Sequence, residues 1–218
     1  MKTTERLLLA VSLCLLSFSL MAQQNVQANR ILAASKKVYR NVTSLSADIQ
    51  YGVYNEAQEI DHSSYGDFAV SGAKYRMNTV GHQIASNGQR IYSYSPQTQE
   101  IVISPANAQQ QDIVLTPFGL LSLVQKGYVA DVVPDEMVNG LACHILDMYG
   151  QANSSFSMVR LAISKSDLTL QAFYFVDREN TVYSYFLGNV QYNEKIPSSK
   201  FRMSATTHPG ATVTIQSY

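Results

Sequence analysis

The stretch QIASNGQRIYSY, residues 83–94, decides the fold class of this chain. Its centre is Asn87-Gly88, and an Asn-Gly pair between alternating runs is the strongest short-range signal for a β-hairpin. The residues before it, Gln83 to Ala85, and those after it, Arg90 to Tyr94, are therefore predicted to be antiparallel strands. The middle of the chain thus predicts a sheet built from consecutive hairpins.

Strand-like runs extend to both sides of this hairpin. The first contains Ile49, Tyr51 and Val53, which alternate with polar residues or glycine as in a half-buried strand. The other runs are Ser64–Val70, Lys74–Val80, Glu100–Ile103, Tyr128–Val133, Leu141–Tyr149, Phe156–Ile163, Thr169–Val176, Thr181–Leu187 and Phe201–Ala205. Turn residues separate them, including Asp135 to Gly140. The regular spacing predicts one antiparallel sheet or barrel.

Two segments have helical features. Residues 23–40 place Ile31 and Leu32 on one face of an amphipathic helix. Residues 116–127, TPFGLLSLVQKG, have a Thr cap, a Pro at the first helical position and a Gly after the end. The apolar residues of this second helix spread around it, although a surface helix should be apolar on one side only. Apolar side chains on two sides of this helix therefore have to be shielded from water by other parts of the structure.

The N-terminus has the features of an export signal. Lys2 and Arg6 precede an uncharged apolar run from Leu7 to Met21, and Ala22 supplies a cleavage point. We expect a signal peptide at 1–22 and one domain at 23–218. The alternative is an uncleaved membrane anchor, but the run is short for a span of about 20 residues.

Charge and cysteine content narrow the class of protein. Cleavage would remove Lys2, Arg6 and Glu5 from 16 basic and 16 acidic residues, which leaves a formal charge of −1. No basic field attracts nucleic acid, so we expect no nucleic-acid partner. Cys143 would be the single cysteine left, so no intramolecular disulfide can form. These features favour a bacterial envelope protein stabilised by its core.

The sequence contains no pattern typical of an enzyme. The four histidines are scattered without metal-ligand spacing, and no phosphate-binding glycine loop or nucleophile elbow is present. Cys143 and His144 are adjacent, an arrangement that would suggest a nucleophile and its base. Neighbouring residues of a strand point to opposite faces, however, so this pair cannot act together. We therefore expect no catalytic residue, no metal and no cofactor.

Aromatic residues dominate the strand runs. The chain has 14 Tyr, 8 Phe and 7 Met but no Trp. The pairs that share a face are Tyr92 with Tyr94, Phe173 with Phe175, and Tyr183 with Tyr185. One interpretation is an ordinary closed core, as in a structural protein of the cell surface. The other is an apolar cavity inside a curved sheet.

An ordered set of motifs from Tyr65 onward carries a family resemblance. In chain order they are Gly66-Asp67-Phe68-Ala69-Val70, Lys74-Tyr75-Arg76-Met77, residues 84–94 (IASNGQRIYSY), Thr116-Pro117-Phe118-Gly119-Leu120-Leu121, Asn189 to Phe201, and Pro209-Gly210-Ala211-Thr212-Val213. Together they resemble the periplasmic outer-membrane lipoprotein carriers, the LolA-like family. The likeness covers most of the chain in the same order.

The resemblance implies a fold and a function. The fold is an incomplete antiparallel β-barrel, mainly β, with short helices forming a lid over an apolar cavity. The function is that of a monomeric periplasmic carrier. It receives acylated lipoproteins from an inner-membrane lipoprotein-releasing ABC transporter and releases them at the outer membrane, where a receptor is a further partner. A module of the same fold that senses or stores lipid is the alternative.

The same resemblance and the strand alternation suggest binding residues. The expected cavity residues are Phe68, Val70, Tyr75, Met77, Tyr92, Tyr94, Phe173, Phe175, Tyr183 and Tyr185. The expected lid residues are Ile31, Leu32, Phe118, Leu121 and Val124. Two departures from the family are visible. Gly72-Ala73 stands where the family has an Arg-Pro pair that contacts the lid, and Tyr92 and Met77 stand where it has tryptophans.

Overall fold

The computed structural model describes residues 25–106, 127–154 and 156–216. Within these ranges the chain forms one α-helix, α1 (25–39), and a single sheet of twelve strands. The strands are β1 Ser44–Asn55, β2 Ile60–Ser71, β3 Lys74–Thr79, β4 His82–Ser86, β5 Arg90–Ser95, β6 Glu100–Pro105, β7 Val129–Val138, β8 Leu141–Tyr149, β9 Met158–Ser164, β10 Leu170–Val176, β11 Val182–Tyr192 and β12 Thr212–Ile215.

The sheet is open. Its strand order is β12-β6-β5-β4-β3-β2-β1-β11-β10-β9-β8-β7, so β12 and β7 form its two edges in the described part of the chain. Every neighbouring pair is antiparallel except β12 with β6, which is parallel. The expectation of a mainly β protein with an unclosed antiparallel sheet is confirmed.

The β4–β5 hairpin forms as the Asn-Gly pair predicts. Gly88 has a φ of 88°, which a glycine adopts at little cost. The Asn87 Oδ1 atom accepts hydrogen bonds from the backbone N–H groups of Gln89 and Arg90, at 2.9 and 2.8 Å. The Asn87 side chain thus stabilises the turn that the Asn-Gly pair predicts.

Helix α1 packs on one face of the sheet, which we call the inner face. Its buried residues Ala28, Ile31, Leu32 and Tyr39 belong to one apolar cluster with residues of β1, β2 and β7 to β11. Two long-range hydrogen bonds fix it there. The Ser35 hydroxyl donates to the Leu168 carbonyl at 2.8 Å, and the Leu170 N–H donates to the Tyr39 hydroxyl oxygen at 2.8 Å.

The Tyr39 contact gives a testable prediction. Tyr39→Phe keeps the ring but leaves the Leu170 N–H, buried beneath α1, without its acceptor. We expect the free energy of unfolding to fall by about 1 to 3 kcal/mol, as for other unsatisfied buried donors. Urea denaturation checks it, with Tyr54→Phe as the control because Tyr54 is 49% exposed. Equal losses in the two variants would contradict the assigned role.

The opposite face, the outer face, carries two smaller apolar clusters. One joins Tyr92, Ile101 and Ile103 to Met203 of the C-terminal segment. A 3-10 turn at Ser198–Phe201 precedes Met203 and buries Phe201 to 1% exposure. The second cluster contains Val138, Cys143, Ile145, Ala162 and Ala172. Several strands are therefore covered on both faces.

Two sequence-based assignments differ from the structure. The expected turn Asp135–Gly140 is mostly strand, because β7 continues to Val138 through an irregularity between Val133 and Glu136. Only Asn139 and Gly140 have positive φ angles, 52° and 76°. The expected strand Phe201–Ala205 is not a strand, since Phe201 ends the 3-10 turn and lies against β3 and β4.

Candidate binding surface

The strand register shows which predicted cavity residues share a face. Directly opposite residues of neighbouring strands point to the same side of a sheet. Phe68 lies opposite Met77, and Val70 lies opposite Tyr75. Phe173 lies opposite Tyr185, and Phe175 lies opposite Tyr183. All eight side chains belong to, or pack against, the inner-face cluster beneath α1.

The structure does not bring Tyr92 and Tyr94 to this face. Met77 pairs with Ile84, and Ile84 pairs with Ser93, so Ser93 points to the inner face. Tyr92 and Tyr94, on either side of Ser93, therefore point to the outer face. Tyr92 belongs to the outer-face cluster, and the Tyr94 ring lies 4.3 Å from that of His208. The expected grouping is corrected here, because a shift of one residue reverses the face of a whole strand.

The lid residues fall into two groups. Ile31 and Leu32 are buried in α1 against the inner face, at 8% and 3% exposure. Phe118, Leu121 and Val124 lie outside the described residues, as does the N-terminal signal segment. The expectations of a lid from residues 116–127 and of an enclosed cavity stay predictions.

Sequence reasoning missed three apolar residues on the inner face. Ile84 and Val102 lie on the inner face because Met77, Ile84, Ser93 and Val102 are paired in turn across four strands. Ile91 lies there because it pairs with Ser86, which pairs with Tyr75. Ile84, Ile91 and Val102 are partly buried. Ile84 and Ile91 lie on the two strands of the Asn87 hairpin, and Val102 lies on the next strand. Sequence reasoning instead selected Tyr92 and Tyr94 of β5, which lie on the other face.

The two halves of the inner face are buried to different extents. On β8 to β10 the apolar inner residues are almost completely buried, as at Leu146, Leu161 and Phe175. On β3 to β6 they are only partly buried. This second set, which we call the open inner patch, consists of Tyr75, Met77, Ile84, Ile91 and Val102.

The outer face of the strands that carry the patch is better covered. Ala85, Tyr92, Ile101 and Ile103 are each at most 9% exposed beneath the C-terminal segment. The described part of the chain thus covers the outer side of β4 to β6 and leaves apolar side chains of the open inner patch partly exposed.

Aromatic rings lie next to the patch on the inner face. The rings of Tyr51 and Tyr185 lie 5.0 Å apart, and the Phe173 ring stacks on Tyr185 at 4.7 Å. Burial raises the pKa of the Tyr75 phenol, and burial is also the main cause of the raised pKa of Tyr51 and of Tyr185. All three phenols therefore stay neutral through physiological pH.

A cleft of about 430 Å³ lies elsewhere, on the outer face. Asp48, Tyr65, Asn139 and Phe186 line it. The Asp48 carboxylate already accepts a hydrogen bond from the Asn189 amide at 2.6 Å. The cleft therefore has a mixed lining, with a carboxylate and an amide beside aromatic rings.

Metal-ligating groups and the Cys143-His144 pair were considered in the sequence, and the structure shows where they lie. Among them, no three acidic, histidine or cysteine side chains meet to hold a metal. Cys143 is fully buried, and burial is the main cause of the raised pKa of its thiol. Its neighbour His144 points away from it toward Asp135, at 3.2 Å. The opposite orientation of Cys143 and His144 agrees with the strand geometry expected for them.

In its described residues the protein has an open sheet that is antiparallel except at one edge, a helix on the inner face, and a partly exposed apolar surface on the same face. The family model "Outer membrane lipoprotein carrier protein LolA" matches residues 40–204. The chain therefore belongs to the LolA family, which confirms the resemblance seen in its motifs.

Solved structures share the fold at low sequence identity. An uncharacterised conserved protein from Thermus thermophilus matches with a TM-score of 0.55 and 16% identity, over 87% of this chain and 99% of that one. Lipoprotein LppX of Mycobacterium tuberculosis matches with a TM-score of 0.48 and 12% identity, over 79% and 98%. A LolA superfamily protein from Nitrosomonas europaea has a TM-score of 0.41 and 10% identity, over 81% and 97%. None of the curated proteins matches the chain.

Identities this low describe the fold and leave the ligand open. The described helix is neither long nor apolar enough to cross a membrane.

Proposed function

We propose that this protein is a periplasmic carrier that holds the acyl chains of lipoproteins against the open inner patch and transfers them from the inner to the outer membrane. One observation carries the proposal. Apolar side chains of β3 to β6 remain partly exposed on the inner face, while the outer face of β4 to β6 is covered. Membership of the LolA family supports the same class of ligand.

The chemistry of the patch suits acyl chains. Each CH₂ group removed from water contributes about 0.8 kcal/mol, without any directional requirement. Isoleucine, valine and methionine offer such contacts, and the unbranched Met77 side chain adapts to different chain positions. A surface of this kind binds lipid tails firmly yet imposes no single geometry, as a carrier that must release its cargo requires.

Carriage requires partners but no covalent step. The donor is an inner-membrane lipoprotein-releasing ABC transporter, and the acceptor is the outer membrane or a receptor within it. Residues 1–22 direct the chain to the periplasm. Gly72 occupies the β2–β3 turn with a φ of 58°, where a larger residue is strained. The contact that the family's arginine makes with the lid would therefore differ or be absent in this carrier.

Native mass spectrometry of the gently purified protein tests the proposal. We expect a population heavier than the polypeptide by the mass of an acylated peptide or lipid, which disappears after mild detergent extraction. The matched sample is the protein refolded from denaturant without lipid, which should then take up a synthetic diacylated lipopeptide. A protein that is always empty and also fails to bind the lipopeptide would reject the carrier function.

A further inference from the structure

The two edges of the open sheet differ in how they are protected. Edge strand β7 contains Pro134 and an irregularity between Val133 and Glu136, and it also carries Asp131 and Asp135. Proline, bulges and charges are the usual devices that prevent another strand from pairing with an edge. Edge strand β12, with the sequence TVTI, contains none of them.

Among the described residues, no strand pairs with β12 on the side that points away from β6. It lies parallel to β6, and the Thr212 N–H donates to the Gln99 carbonyl at 2.9 Å. The Gln216 N–H donates to the Ile103 carbonyl at 2.8 Å. Because alternate residues of a strand face opposite neighbours, the N–H and C=O groups of Val213 and Ile215 point away from β6.

The side chains of the same two residues are exposed as well. Val213 and Ile215 are 40% and 63% exposed, and their register partners Ile101 and Ile103 are buried on the outer face. The apolar row of that face thus continues to the edge, where no described residue covers it. An added strand would meet two free backbone positions and two exposed apolar side chains.

We propose that β12 pairs, through its backbone, with the extended polypeptide that follows the acylated residue of the cargo. This inference rests on the proposed function. The neighbouring strand β6 carries Val102 of the open inner patch, so a chain that leaves the patch at this edge passes β12. Backbone pairing reads no particular sequence, and a carrier of many lipoproteins needs a contact of that kind.

The size of the site favours tethered cargo over a second copy of this chain. Two free residues bury far less than the roughly 1,200 Å² of a stable protein interface. A weak contact is sufficient when the partner is already held by its acyl chains, because tethering raises its effective concentration.

The test compares two synthetic lipopeptides with the same diacylated cysteine. One has an ordinary short peptide, and the other is N-methylated at alternate residues so that one backbone edge has no donors. We expect the methylated form to bind about tenfold more weakly, since each backbone hydrogen bond contributes a factor of about two to ten. Hydrogen exchange should slow at the Val213 and Ile215 amides with the ordinary form only.

Two variants separate the backbone from the side chain. Val213→Pro removes one free N–H without touching the bonds to β6, and we expect a loss of about fivefold in lipopeptide affinity with no change for an acyl probe that lacks a peptide. Val213→Thr keeps the N–H, so we expect it to bind the lipopeptide more tightly than Val213→Pro does. Retained exchange protection of the Gln216 amide verifies that β12 is still paired.

The outcomes are distinct. Equal affinities for the two lipopeptides, with no added protection at Val213 and Ile215, would overturn the inference while the acyl carrier function stands. Failure of both lipopeptides to bind would reject the proposed function and this inference with it. Protection that grows with protein concentration alone would assign β12 to self-association and also overturn the inference.

Discussion

Replacing Arg160 with leucine is expected to lower the free energy of unfolding by about 3 kcal/mol, because it leaves a buried carboxylate without its cation. The Asp147 residue is 3% exposed on β8. The Arg160 Nε and Nη2 atoms donate to its two oxygens at 2.6 and 2.8 Å. This bidentate bond is the main cause of the raised pKa of the Arg160 guanidinium.

Chemical denaturation measures this effect, and two further variants interpret it. Lys165→Leu breaks the exposed pair of Lys165 with Asp135, and we expect a loss of less than about 1 kcal/mol. Arg160→Leu combined with Asp147→Leu removes both charges and should recover most of the stability. A double variant as unstable as Arg160→Leu alone would show that packing, and not the unpaired charge, causes the loss.

Met77→Glu is expected to reduce binding of a diacylated lipopeptide by about a hundredfold, because a carboxylate must then be buried against acyl chains. Met77 lies on β3 between Phe68 and Ile84 in the inner row. Met77→Leu preserves the apolar surface and should bind within about twofold of the original chain.

Binding is measured by fluorescence titration, and circular dichroism at rising temperature verifies the fold of each variant. The matched control on the other face is Tyr65→Glu, since Tyr65 is 71% exposed. If Tyr65→Glu and Met77→Glu weakened binding equally, the inner face would not be the site.

Local sequence signals predicted the elements that local chemistry determines. The Asn87-Gly88 hairpin, the amphipathic helix α1 and strand β8 formed where alternation, periodicity and turn residues placed them. Each of these elements depends on residues that are close together in the chain. The hairpin depends on the hydrogen bonds of the Asn87 side chain, and the helix and the strand depend on the spacing of their apolar residues.

The errors arose where distant parts of the chain decide the outcome. Strand β5 has apolar residues on both faces, Ile91 inward and Tyr92 outward, so alternation alone does not tell which is the inner face. The C-terminal segment, about a hundred residues away along the chain, covers the outer side and buries Tyr92. The same segment uses Phe201 as a buried anchor in a 3-10 turn, where its neighbours suggest a strand.

The same limit applies to the binding surface. Phe68, Met77, Phe173 and Tyr185 were correctly placed on one face because their strands alternate clearly. Ile84, Ile91 and Val102 become part of the open inner patch only once the pairing of four strands is known. How much of each residue stays exposed depends on which distant segments pack over it, which no local pattern encodes.

Photo-crosslinking tests the central claim most directly. A benzophenone amino acid replaces Met77 on the inner face in one variant and Tyr65 on the outer face in the other, and each is irradiated in the living host. The account predicts adducts with acylated lipoproteins from position 77 and none from position 65. Adducts from position 65 alone, or none from position 77 in a folded and exported protein, would contradict it.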